Sequence, residues 1–358
     1  MYVQLNGMPC LIGLLVLSLG NALETGYAVA SETCAPIPIT ERGSNTTVRS
    51  ERALLPRITI EKPGRFCLEE DVHQASLVDP VRSAEVFAQV ESIVRIRAND
   101  VTINLAKHTV SNEMRPGMTM IWFSRFARGK PDGTRLRRAR ISNGRLVSPG
   151  AMGVGIDLLA SKPYGTRSLE IAPLPDGAQL EDRFEDTRHL IDFMIIVAGK
   201  RGIQIDGKNN VIRNNRIVVD SATAIVAQGP GTVIENNIIE VRNNLSFHSD
   251  QDRIKESRTL FPIRLLQADG AIVRNNQIRL INPASATRLT AAIELVESNH
   301  VVLEGNRFHG IENLVHSDAK SSHRDDNNRR DHCPPTVTRF LPPDETVDAG
   351  PPHTSTCR

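Results

Sequence analysis

Val211-Ile212-Arg213-Asn214-Asn215-Arg216-Ile217 returns three times along the chain. Its copies are Val233-Ile234-Glu235-Asn236-Asn237-Ile238-Ile239, Ile272-Val273-Arg274-Asn275-Asn276-Gln277-Ile278 and Val302-Leu303-Glu304-Gly305-Asn306-Arg307-Phe308. The second Asn stands at 215, 237, 276 and 306, in steps of 22, 39 and 30. A second column is formed by Gly202-Ile203-Gln204-Ile205, Ala224-Ile225-Val226-Ala227, Pro262-Ile263-Arg264-Leu265 and Ala292-Ile293-Glu294-Leu295. Its steps are 22, 38 and 30. Two columns that change spacing together define one repeating unit of 22 residues with loops inserted into it, the mark of a solenoid.

Within the unit, apolar residues alternate over three short runs separated by turns, so each unit reads as three strands. No stretch of 100–310 carries a helical apolar period. A coil of three strands stacks about 4.8 Å above the previous one, hydrogen-bonded in parallel. The Asn pair lies between two strands, where one residue must turn left-handed, and Asn tolerates that far better than Val or Ile. Side-chain amides repeated at one place in successive coils can bond to each other as a ladder. These asparagines therefore belong to the fold and not to chemistry.

Asn210-Val211-Ile212-Arg213-Asn214-Asn215 and its copies resemble the parallel β-helix repeats of the pectate-lyase-like superfamily. Ile58-Thr59-Ile60-Glu61-Lys62-Pro63-Gly64-Arg65-Phe66-Cys67-Leu68 is similar to the opening segment of right-handed β-helix proteins exported by bacteria. Asn99-Asp100-Val101-Thr102-Ile103-Asn104-Leu105 resembles their first full rung. The resemblance implies an all-β, right-handed parallel β-helix with an N-terminal cap and an irregular C-terminal tail. It says little about activity, since that superfamily holds lyases, hydrolases, epimerases and adhesins.

The chain divides accordingly into a signal segment at 1–30, a cap and lead-in at 31–98, the β-helix at 99–315 and a tail at 316–358. Ile141–Val147 fits the Asn-turn column, and Gly155-Ile156-Asp157-Leu158 fits the Gly202 column. One step before Val211, Asp192-Phe193 stands where the Asn pair should be. Insertions at 113–137, 160–188 and 241–261 interrupt the pattern. The tail has six prolines after Cys333 and almost no apolar pattern, so it is expected to be loosely ordered. The chain has one Trp, three Tyr and ten Phe in 358 residues, which suits a thin aliphatic column better than a wide core.

The apolar run Cys10–Leu19, too short to span a bilayer, precedes Ala28-Val29-Ala30, the layout of a secretory signal. Its first eight residues lack Lys and Arg, unlike an ordinary signal. The expected location is secreted or periplasmic, with no stable membrane span after cleavage. Cleavage leaves four cysteines, read as the local pairs Cys34–Cys67 and Cys333–Cys357 over the crossed alternatives. A net charge of +2 excludes nucleic-acid binding through bulk charge. A monomer is expected.

A β-helix interior has no room for substrate, so chemistry must sit on an outer face. Where the Ile and Leu of the Gly202 column point inward, Asp157, Gln204, Asp206, Gln228, Arg264 and Glu294 point outward or end the strand. The candidate catalytic residues are Asp157, Asp206, Arg264 and Glu294. Asp157 and Asp206 are expected two rungs apart, about 10 Å, marginal for the carboxyl pair of an inverting glycosidase. In a lyase or epimerase reading, Arg264 meets the uronate carboxylate or acts as base, and Asp206 or Glu294 holds Ca²⁺. The plain alternative for Arg264 and Glu294 is a salt bridge between neighbouring rungs. No cofactor is implied with certainty, and the metal ligands are left open.

Gln204, Gln228, Trp122 and His248 are the candidate substrate-binding residues. Trp122 is read either as a loop aromatic stacking on sugar or as part of a cap on the helix. Arg135, Arg137, Arg138 and Arg140 form a basic patch that would attract an acidic polysaccharide or simply be solvated. Arg253-Ile254-Lys255 resembles an element of polygalacturonases, but the Asn-Thr-Asp and Gly-His-Gly motifs that accompany it there are missing. The expected function is binding or modification of a cell-envelope or extracellular polysaccharide by a lyase, epimerase or hydrolase. The alternative is a non-catalytic glycan-binding, adhesin-like or structural protein.

Overall fold

The computed structural model describes residues 34–37, 58–74, 92–112, 119–123, 126–127, 130–131, 136–149, 153–159, 184–220, 223–242, 261–281, 289 and 291–331. Among them no helix occurs. Apart from one short antiparallel pair, Phe126–Ala127 with Lys130–Pro131, the described strands stack in parallel as a β-helix of nine rungs, and each rung contributes one strand to a nine-stranded sheet. In order these strands are Ile58–Ile60, Ser92–Ile96, Thr119–Phe123, Val154–Leu158, Arg201–Asp206, Thr223–Gln228, Ile263–Leu266, Ala291–Val296 and Asn313–Ser317. The rest of each rung runs through a seventeen-stranded sheet, as in Val211–Arg213 followed by Arg216–Val219. In two rungs these two strands merge into one, Arg140–Ser148 and Leu190–Ala198.

The interior is one continuous aliphatic column. Ile156, Ile203, Ile225, Ile263 and Ile293 follow each other in register, all inaccessible to solvent. At the corner before this column the chain comes close to its neighbours. A Cβ on Gly202 would lie 2.4 Å from Ile217 and 2.8 Å from the Ala224 carbonyl oxygen, which explains the small residues there.

The Asn pair divides its labour. The first residue supplies the left-handed turn, with φ of 56° at Asn214, 56° at Asn236 and 55° at Asn275. The second turns inward and builds the ladder. Nδ2 of Asn215 donates to Oδ1 of Asn237, Asn237 to Asn276, Asn276 to Asn306 and Asn306 to Asn328. Each of these oxygens also accepts the backbone N–H of the Asn below, and buried polar groups are thereby satisfied without strand partners.

The solenoid extends beyond the expected boundaries at both ends. Ile58–Ile60, Gly64–Cys67 and Val72–Gln74 already form a rung, paired with the next one within the segment read as a lead-in. At the other end, Asn313–Ser317, His323–Asp326 and Arg329–Arg330 form a ninth rung inside the expected tail, with Asn327-Asn328 repeating the turn signature. Register carries the inward column onto His323 and Asp325, both exposed. Polar residues there end the apolar run that makes earlier rungs recognisable, which is why the sequence pattern fades before the fold does. Cys34 and Cys67 are both disulfide-bonded. Residues 1–30, Cys333, Cys357 and His248 lie outside the described residues.

Candidate functional site

Parallel pairing in the nine-stranded sheet lines up one outward residue per rung. The column runs Thr59, Arg95, Trp122, Asp157, Gln204, Val226, Arg264, Glu294 and His316. From Arg95 to His316 are seven steps, about 34 Å at one strand spacing each. Two residues further along, a second column holds Asp206, Gln228, Leu266 and Val296. Five of the expected site residues thus share one line, and two more lie beside it.

These outward groups are nearly dehydrated. Trp122 is 6 % exposed, Asp157 9 %, Gln204 4 % and Asp206 5 %. The seventeen-stranded sheet is mixed: its outward Arg274 and Glu304 are exposed, while Asp192 and Glu240 are buried. Charged and polar groups turned outward yet held from water are costly unless paired, and this face carries a row of them.

The second to fifth rungs of the column make a contiguous cluster. The guanidinium of Arg95 lies over the Trp122 ring, 5.2 Å from its centroid, a cation–π contact. Trp122 is the register neighbour of Asp157. Asp157 Oδ1 accepts the Leu159 backbone N–H at 3.1 Å, and Oδ2 accepts Gln204 Nε2 at 3.4 Å. Gln204 Oε1 accepts Arg201 Nη1 at 2.8 Å, which holds the amide with its NH₂ toward the carboxylate. Burial pushes the Asp157 carboxyl up to about 6; the Leu159 N–H and Arg201 oppose the rise, and the charge of Asp206 adds to it.

At the other end of the column, Arg264 Nε donates to Glu294 Oε2 at 2.5 Å, and both side chains are 11 % exposed. Glu294 is followed by His316, whose ring stacks on Phe261 with centroids 5.4 Å apart. Val226 separates the two clusters.

Several expectations change. Asp157 and Asp206 are on adjacent rungs, because the insertion at 160–188 lies within a rung and adds none. Arg264 and Glu294 lie three and four rungs beyond Asp157, about 14 and 19 Å, so the four candidate catalytic residues do not form one site. Asp206 and Glu294, the alternative cation ligands, are three rungs apart. Among the described residues no three His, Cys, Asp or Glu side chains gather as a metal-binding set. Trp122 is neither a loop residue nor an end cap. It sits inside the strand Thr119–Phe123, facing outward because Ile121 takes the inward position.

The basic patch is neutralised where it is described. Arg137 pairs with Glu185 at 3.0 Å, Arg138 with Asp100, and Arg140 with Asp192 at 3.3 Å. His189 is a buried neutral imidazole: burial lowers its pKa to about 4, and Nδ1 accepts the Ala139 N–H. Sequence reasoning missed Arg95, Arg201, Phe261 and His316. Extending the Gly202 column by one rung to Leu314-Val315-His316-Ser317 would have found the last of these.

Residues 184–331 match a family model described as the right handed beta helix region. No curated protein and no solved structure matches the chain.

Proposed function

A right-handed parallel β-helix repeat protein has no wide core to enclose a substrate, and we propose that this one takes a linear polysaccharide along its nine-stranded face, with Asp157 as proton donor. The observation that carries the reading is Asp157 itself: a carboxyl turned outward, set between Trp122 and Gln204, and pushed up to about 6. A carboxyl with that pKa keeps its proton in mildly acidic solution and can deliver it to a glycosidic oxygen. Asp206, its diagonal neighbour on the adjacent rung, supplies the second carboxyl. Diagonal neighbours on a sheet are about 7–8 Å apart, within the ~6.5–9.5 Å that leaves room for an attacking water. Trp122, packed beneath Arg95, walls the carboxyl on the side of the preceding rung.

Hydrolysis with inversion therefore has more support than uronate lysis, because Arg264 is already engaged by Glu294. The layout of residues 1–30 supports action on a cell-envelope or extracellular glycan. A second reading, binding without turnover, is favoured by the column's far end. There the Arg264–Glu294 pair and the His316–Phe261 stack extend the contact face without adding reactive groups beside Asp157.

The test is a glycan array at pH 5 and pH 7, followed by product analysis on each hit. Wild type is expected to bind a linear glycan and release new reducing ends, Trp122→Ala to lose binding, and Asp157→Asn to bind without cleaving. Binding with no cleavage selects the second reading. Absence of any glycan hit, or binding indifferent to Trp122→Ala, refutes both.

A further inference from the structure

Six of the nine turns between the paired strands follow one rule; the second rung places Ala106 and Lys107 in the left-handed region, and one other rung places an aromatic there. Between the two strands of the seventeen-stranded sheet, the left-handed position is held by Asn143, Asn214, Asn236, Asn275, Gly305 and Asn327 in other rungs. In the rung of Leu190–Ala198 it is held by Phe193, with φ of 54°. An aromatic residue gains nothing from that conformation, which costs it the Cβ–carbonyl crowding that Asn and Gly tolerate. Nor is the ring there to be buried: Phe193 is 59 % exposed. A strained backbone carrying an exposed aromatic is better explained by a contact outside the molecule than by the fold.

The surroundings narrow that contact. Asp192, fully buried, receives Arg140 at 3.3 Å from the rung below and Arg213 at 3.6 Å from the rung above. Both guanidinium groups remain half-exposed, at 48 % and 39 %, so two cations share the one buried carboxylate of the residue preceding Phe193. Phe193 and Ile281 are the only exposed large hydrophobic residues among those described. The apolar contact is therefore the size of one ring, without the contiguous apolar centre that a protein interface needs.

We propose that Phe193, Arg140 and Arg213 form a second carbohydrate subsite, remote from the nine-stranded face, that takes an anionic sugar residue. The sugar's apolar face stacks on Phe193 and its carboxylate meets the guanidinium pair. The subsite stands whether or not the nine-stranded face turns over a glycan.

The test is titration calorimetry with an oligogalacturonate and a neutral cello-oligosaccharide, on protein carrying Trp122→Ala so that the other face contributes nothing. The acidic probe is expected to bind more tightly than the neutral one, and to weaken as salt rises. Adding Phe193→Asn, which restores the residue type of the flanking turns, should cut affinity about five- to tenfold while leaving the melting temperature at or above its starting value. Phe193→Leu should also lose affinity, because it keeps apolar bulk without a ring face. Absence of binding by the acidic probe, equal affinity for both probes, or affinity unchanged by Phe193→Asn overturns the proposal. A fall in melting temperature on Phe193→Asn also overturns it, since the ring would then be packing.

Discussion

Truncating Asn237 to Ala tests whether the Asn ladder holds the rungs together. The Asn237 side chain makes four hydrogen bonds, all at 3.0 Å. Nδ2 donates to the Ile212 carbonyl and to Asn276 Oδ1, while Oδ1 accepts from the Asn215 backbone N–H and from Asn215 Nδ2. Alanine removes all four and strands the Asn215 N–H and the Ile212 carbonyl in a dry interior. At about 1–3 kcal/mol for each buried group left unsatisfied, the cost is about 4 kcal/mol. For a chain of this size that lowers the melting temperature by about 10 °C. The control is Asn236→Gly one residue earlier, where φ is 56° and the side chain is exposed; glycine accepts that conformation freely, so stability should hold within about 0.5 kcal/mol. Thermal melts followed by circular dichroism decide it. If Asn237→Ala melts within 3 °C (about 1 kcal/mol) of Asn236→Gly, the ladder is decoration and the aliphatic column alone holds the rungs.

Three further outcomes follow from the charged groups. The folded pKa of Asp157 is raised from 3.8 to about 6, so its stabilising contribution is complete below pH 3.8 and is lost as pH rises through 6. Asp157→Asn should therefore be more stable than wild type by up to about 3 kcal/mol at pH 7 and no more stable at pH 3.5, and a less stable variant at pH 7 contradicts the assignment. The pKa of His189 is lowered from 6.5 to about 4, so its contribution is present above pH 6.5 and lost as pH falls toward 4. In wild type the two residues oppose each other over pH 4–6; stability profiles of Asp157→Asn should expose a steeper acid limb, which His189→Gln flattens. Arg264→Ala leaves Glu294 buried without its partner and should cost about 3–5 kcal/mol. Arg264→Met with Glu294→Met should recover most of that, as read by a double-mutant cycle in guanidinium.

The physics of this fold is local and periodic, and that decides what could be read in advance. Each rung repeats the same needs: Ile or Leu inward, a small residue at the tight corner, Asn for the left-handed turn and the ladder. Those needs write themselves into the chain every rung, so Asn215, Asn237, Asn276 and Asn306 announced the solenoid, and Asp157, Gln204, Arg264 and Glu294 were placed on the correct face. The pattern failed where the physical need lapsed. The ninth rung carries His323 and Asp325 at inward positions because nothing apolar stacks beyond them among the described residues. Trp122 was misplaced because the insertion around it hid the alternation of its own strand.

What the sequence by itself determined is the unit, its three strands, its turns and the outer face on which side chains of consecutive rungs meet. Only the tertiary structure decided how the irregular rungs before Gly202 stack on the regular ones, whose order the repeat already gave. Loop insertions change the distance along the chain without changing the rise per rung, so Asp157 and Asp206, 49 positions apart, became adjacent, while Arg264 and Glu294 were carried to the far end of the column. Burial was decided there too. An outward carboxylate is ordinarily solvated, and it is the dehydrated setting beside Trp122 and Gln204 that pushes the Asp157 carboxyl up to about 6.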